Sequence, residues 1–102
     1  MRVISQDGNV DLLYENVVVF KVGNTVMARC DGFEYTLGAY SAKEKAIKAM
    51  EMLRKAYGNN EFYHYTSATN TFEKAVSYLS REEFKEVTAE YFQFPQDDEI
   101  EV

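Results

Sequence analysis

The stretch Val17-Val18-Val19-Phe20-Lys21-Val22-Gly23-Asn24-Thr25-Val26-Met27-Ala28-Arg29-Cys30-Asp31-Gly32-Phe33-Glu34-Tyr35-Thr36-Leu37-Gly38-Ala39 decides the fold. Three runs rich in β-branched and aromatic residues alternate with two short turn signals, Gly23-Asn24 and Asp31-Gly32. Two-residue loops of Gly, Asn or Asp supply the positive φ angles that tight hairpins need. The stretch therefore reads as three antiparallel strands with a register that the turns set. Val19 faces Ala28, Val17 faces Cys30, Ala28 faces Tyr35, Cys30 faces Phe33 and Val26 faces Leu37.

Side chains alternate along a strand, so this register sorts them onto two faces. One face holds Val17, Val19, Val26, Ala28, Cys30, Phe33, Tyr35 and Leu37, with Lys21 at its margin. It is the expected core face. The other holds Val18, Phe20, Val22, Met27, Arg29, Glu34 and Thr36, and sets Arg29 opposite Glu34 as a favourable cross-strand pair. Val18, Phe20, Val22 and Met27 make an apolar patch that calls for a cover. That cover is either the C-terminal half of the chain or another subunit.

Working outward, Met1–Ser5 and Val10–Tyr14 read as two further strands around an Asp7-Gly8-Asn9 turn. On the other side, Ser41-Ala42-Lys43-Glu44 has the form of a capping box. Ala46, Met50, Leu53 and Tyr57 then recur at helical spacing, and Gly58 stands where a helix would stop. The expected fold is α+β: an antiparallel β-meander, with strands over about 1–5, 10–14, 17–22, 25–30 and 33–39, packed by an amphipathic helix over about 42–57. Phe72, Ala75, Val76 and Leu79 suggest a short helix over about 71–79. A second capping box at Ser80–Glu83, followed by Phe84, Val87 and Tyr91, suggests another over about 81–91. Phe92-Gln93-Phe94-Pro95 reads as a last strand or packing segment, the alternative being an exposed recognition peptide. Residues 96–102 read as a solvated acidic tail on one domain spanning 1–102.

Charge is uneven along the 102 residues. Residues 1–60 carry eight Lys/Arg against seven Asp/Glu, and residues 61–102 carry three against ten, for a net −6 overall. An acidic C-terminal half is a poor match for general nucleic-acid binding, which needs clustered cations. It suits solubility, or a protein partner with a basic surface. The longest uncharged apolar run, Val17–Phe20, is too short to span a bilayer, and the N-terminal residues lack the apolar stretch of a secretory signal. With one cysteine, Cys30, no disulfide framework is expected, and a cytoplasmic protein is.

No strong catalytic, cofactor or metal motif stands out. His64 is the only histidine, flanked by Tyr63 and Tyr65, and reads as a packing residue. The competing reading makes it a general base with a nearby carboxylate or tyrosine. Cys30, on the expected core face, reads as a small buried hydrophobe. Asp97, Asp98, Glu99 and Glu101 lack the spaced ligands and central glycine of a calcium loop. Expected cofactors and metals are therefore none. The candidate interaction surface is Val18, Phe20, Met27, Phe92 and Phe94.

Three stretches together resemble a group of small uncharacterised proteins encoded by phages and prophages of Gram-positive bacteria. They are Met1–Gly8, Tyr35–Tyr57 with its Tyr40-Ser41 and Glu44-Lys45-Ala46 elements, and Phe92-Gln93-Phe94-Pro95 with the acidic end. Where the pattern has proline before Tyr14-Glu15, this chain has Leu13. The resemblance implies a phage context in a bacterial cytoplasm and carries over no functional residue. The leading expectation is a non-enzymatic binding protein engaging a host or phage protein. One version is a counter-defence protein that blocks a nucleic-acid enzyme or sequesters a small nucleotide signal. The alternatives are a structural subunit that self-associates through the second sheet face, and a small enzyme using His64.

Overall fold

In the computed structural model, residues 1–68 and 90–101 are described, with side chains of the helix described through residue 62. The order is β1 (Arg2–Ile4), β2 (Asp11–Leu13), a 3-10 turn (Tyr14–Asn16), β3 (Val18–Val22), β4 (Thr25–Cys30), β5 (Phe33–Ala39), α1 (Lys43–Ala68), β6 (Tyr91–Gln93) and a second 3-10 turn (Asp97–Glu99). The class is α+β, as expected, and all five N-terminal strands are present. They do not form one continuous sheet. β3, β4 and β5 make one sheet in that order, and β2, β1 and β6 make another. The break falls at Tyr14–Asn16, where the Val17 N–H bonds the Tyr14 carbonyl and turns the chain away from β2. Beyond β1 lies β6, which runs parallel to it.

The hairpins have the turns their residues demand. Asp31 and Gly32 both sit at positive φ, 52° and 83°, as a two-residue loop matched to strand twist requires. The register holds from Val18↔Arg29 to Val22↔Thr25, and at Ala28↔Tyr35, Arg29↔Glu34 and Cys30↔Phe33. It departs at Val26, which pairs with Gly38 and not Leu37. A bulge on β5 adds one residue there, so the neighbours Leu37 and Gly38 are both buried. Gly38 fits this place because a Cβ would lie 2.9 Å from the Tyr40 ring folded back over it.

The core is one cluster. Ala46, Ala49 and Leu53 of α1 are buried with Val26 and Ala28 of β4 and Leu37 of β5. Small residues on the helix let it approach the sheet closely. Val3, Tyr40, Phe94 and Ile100 complete the cluster, which joins the two sheets. Cover of the inner face fades toward the far end of the second hairpin. Cys30 and Tyr35 are half-buried there, and Phe33, expected in the core, is 68% exposed.

The helix corrects two expectations. It runs on through Gly58 to Ala68. Gly58 does not take the positive φ of a helix stop, and the roughly 1 kcal/mol that a helical glycine costs is within what packing overrides. Asn60, two residues further on, is buried. The helix also begins at Lys43, so Ala42 and not Ser41 occupies the cap position. The expected helix over 71–79, and the one over 81–91 as far as residue 89, lie outside the described residues. Tyr91, at the end of the second of these, is in strand β6, paired with Arg2.

Candidate interaction surface

The outer face of β3–β5 is built by alternation. Val19, Val26 and Ala28 turn toward α1, so Val18, Phe20, Val22 and Met27 must turn away from it. Val18 and Val22 are 62% and 61% exposed, and Phe20 and Met27 are half-buried. Among the described residues, no element lies over them. The expected Arg29–Glu34 pair is present, with the guanidinium 2.7 Å from Glu34 Oε1 and 5.2 Å above the Phe20 ring centre. Thr36 Oγ1 lies 3.5 Å from Met27 Sδ. The face is therefore an apolar patch with a fixed charged pair at one side. It can bind by apolar contact.

Two of the surface residues expected from sequence do not belong to it. Phe94 is 1% exposed and sits in the core, and Phe92 packs against it edge-on with ring centres 5.1 Å apart. Phe92 lies in β6, which pairs with β1, and the Phe94 N–H just beyond it bonds the Ile4 carbonyl at 3.0 Å, so both side chains fill the seam between the sheets. The acidic end is docked as well. Ile100 is buried, and Asp97 Oδ1 accepts the Ser41 N–H at 2.7 Å while Lys45 Nζ reaches the Asp97 carbonyl at 2.8 Å. These contacts, the Ser41 N–H first, hold the Asp97 carboxyl below its usual range.

The segment after β1, the end of β5 and the segment after β6 meet in this seam. The Gln6 N–H donates to the Leu37 carbonyl at 2.7 Å, and Gln6 Oε1 accepts the Ala39 N–H at 3.1 Å. Gln6 Nε2 donates to the Pro95 carbonyl, and the Gln6 carbonyl accepts from Gln96 Nε2 at 2.7 Å. The Tyr40 hydroxyl also donates to the Pro95 carbonyl, at 3.0 Å. Burial first, then the charges of Asp97 and Glu99, push this phenol up to about 12. Ser5 is buried; its hydroxyl donates to Asp7 Oδ1 at 2.5 Å and accepts the Val10 N–H at 3.0 Å. Sequence alone does not single out Gln6. A lone glutamine beside a turn carries no periodic signal.

Elsewhere the chemistry is sparse. Cys30 is half-buried, and burial with the adjacent Asp31 carboxylate pushes its thiol up, away from thiolate character. His64 falls within α1, and its side chain lies outside those described. A groove of about 320 Å³ is lined by Met1, Arg2, Leu13, Asn60, Glu90 and Tyr91 at the end of the other sheet. Arg2 within it is already paired with Asp11. Among the described residues no three His, Cys, Asp or Glu side chains are grouped to hold a metal, and no helix is long and apolar enough to cross a membrane. No family model, curated protein or solved structure matches the chain.

Proposed function

We propose that this chain is a non-enzymatic binding protein of a phage or prophage, acting in the cytoplasm of a Gram-positive host on a protein partner. The observation that carries the reading is the apolar face of β3–β5, uncovered among the described residues, with Val18 and Val22 each more than half exposed beside the Arg29–Glu34 pair. Apolar strand faces of this kind mark contact sites in soluble domains. Gln6, Tyr40, Asp97 and Phe94 have structural roles, closing the seam between the sheets. The acidic C-terminal half favours a partner with a basic surface, such as a nucleic-acid enzyme of the host. The test is affinity capture from host lysate with the wild-type chain and with Val18→Asp/Val22→Asp. The expected result is a defined partner that the double variant loses. Equal capture by both proteins would refute the role of this face.

A further inference from the structure

Among the described residues β3 is an edge strand, and its sequence is close to symmetric about its centre: Val18-Val19-Phe20-Lys21-Val22. The two-residue turn at Gly23-Asn24 makes Val22↔Thr25 a hydrogen-bonded pair, and with alternation Phe20↔Met27 and Val18↔Arg29 follow. The N–H and C=O groups of Val19 and Lys21 must then point outward, and among the described residues no strand takes them. Edge strands with open groups are pairing templates unless they are blocked. Here the only charged side chain on the strand is Lys21, whose Nζ folds back to the Gly23 carbonyl at 3.1 Å.

From this edge we infer that two copies of the chain pair antiparallel through β3, on a two-fold axis at Phe20. In that register Val19 and Lys21 of one copy exchange hydrogen bonds with Lys21 and Val19 of the other, in both directions. Phe20 faces Phe20, and Val18 faces Val22, so every cross-strand neighbour on the outer face is apolar. Such contacts are isologous, as a closed dimer requires. Competing registers fit worse. Centring on Lys21 sets two ammonium groups directly opposite each other, and centring on Val19 leaves Val22 beyond the overlap. Pairing at the edge leaves the sheet faces open, so the dimer presents both outer faces as one surface. This assembly goes beyond the partner reading and does not depend on it.

The test is disulfide trapping in a Cys30→Ser background, with sedimentation of the wild-type chain alongside. Phe20→Cys lies at a non-hydrogen-bonded pair, where Cα atoms are about 4.5 Å apart, within disulfide range. Mild oxidation is expected to convert it largely to covalent dimer. Val18→Cys, whose own copy is four residues away along the ladder, is expected to stay monomeric, and to cross-link only when mixed with Val22→Cys. Sedimentation should show twice the chain mass for wild type and a weakening of at least tenfold for Lys21→Pro, which removes an outward N–H and no bond to β4. Circular dichroism checks that the Lys21→Pro fold is intact. A monomeric wild type at high concentration, or equal trapping of Phe20→Cys and Val18→Cys, would overturn the proposal. Either result leaves partner capture to be judged separately.

Discussion

Ser5 holds three segments at once. Its hydroxyl ties the Asp7 carboxylate and the Val10 N–H, and its carbonyl accepts from Gly8 and from Gln93. Asp7 in turn accepts the Asn9 N–H, so the turn between β1 and β2 depends on one buried oxygen. Ser5→Ala strands the Val10 donor, and the expected loss is about 1–3 kcal/mol in denaturant unfolding. Tyr40 carries a pH dependence. Its phenol ionises near 10 in an unfolded chain and at about 12 in the folded one. Its contribution is therefore complete below pH 10 and is lost as pH rises toward 12. Unfolding measured across that window should show falling stability, with a shallower fall in Tyr40→Phe. Some slope should remain, because Tyr57, bonded to Glu61, is also raised to about 12. None of these roles is legible in the sequence. A serine or glutamine acquires its meaning from strands far away along the chain.

At the level of elements, the hairpins are legible because their turns are local. Asp31-Gly32 and Gly23-Asn24 set loop geometry within four residues, and the pairing of Arg29 with Glu34 follows from it. The bulge at Leu37-Gly38 is not legible, since it answers to the Tyr40 ring and the seam behind it. Phe92 and Gln93 of β6 read as a last strand or packing segment and Tyr91 as a helix end, and the parallel pairing of all three with β1 is a long-range outcome. The apparent helix stop misleads for a related reason. Gly58 is exposed, has no neighbour within 4 Å of a built Cβ, and lies inside a helix held by packing on either side. Gly58→Ala should therefore raise stability by about 0.5–1 kcal/mol, read as a higher unfolding midpoint. A lower midpoint would mean that the backbone at 58 is not helical in solution.

Across the whole molecule, the seam and the outer face divide the labour. The seam between the two sheets consumes Gln6, Tyr40, Asp97 and Phe94. The outer face of β3–β5 is left with apolar residues that fold and seam do not use. Strand alternation by itself puts those residues on one face. That Ala46, Ala49 and Leu53 of α1 are buried against the opposite side is a tertiary outcome, which no local pattern carries. The most direct test compares capture of one host partner by three proteins: wild type, Val18→Asp/Val22→Asp, and Leu13→Asp/Tyr91→Asp. The last pair places the same charges on exposed apolar residues of the other sheet. Capture should fall at least tenfold for the first variant, about 1.4 kcal/mol or more of binding energy, and stay near wild type for the second. Retained capture by Val18→Asp/Val22→Asp, or loss confined to Leu13→Asp/Tyr91→Asp, would contradict the account.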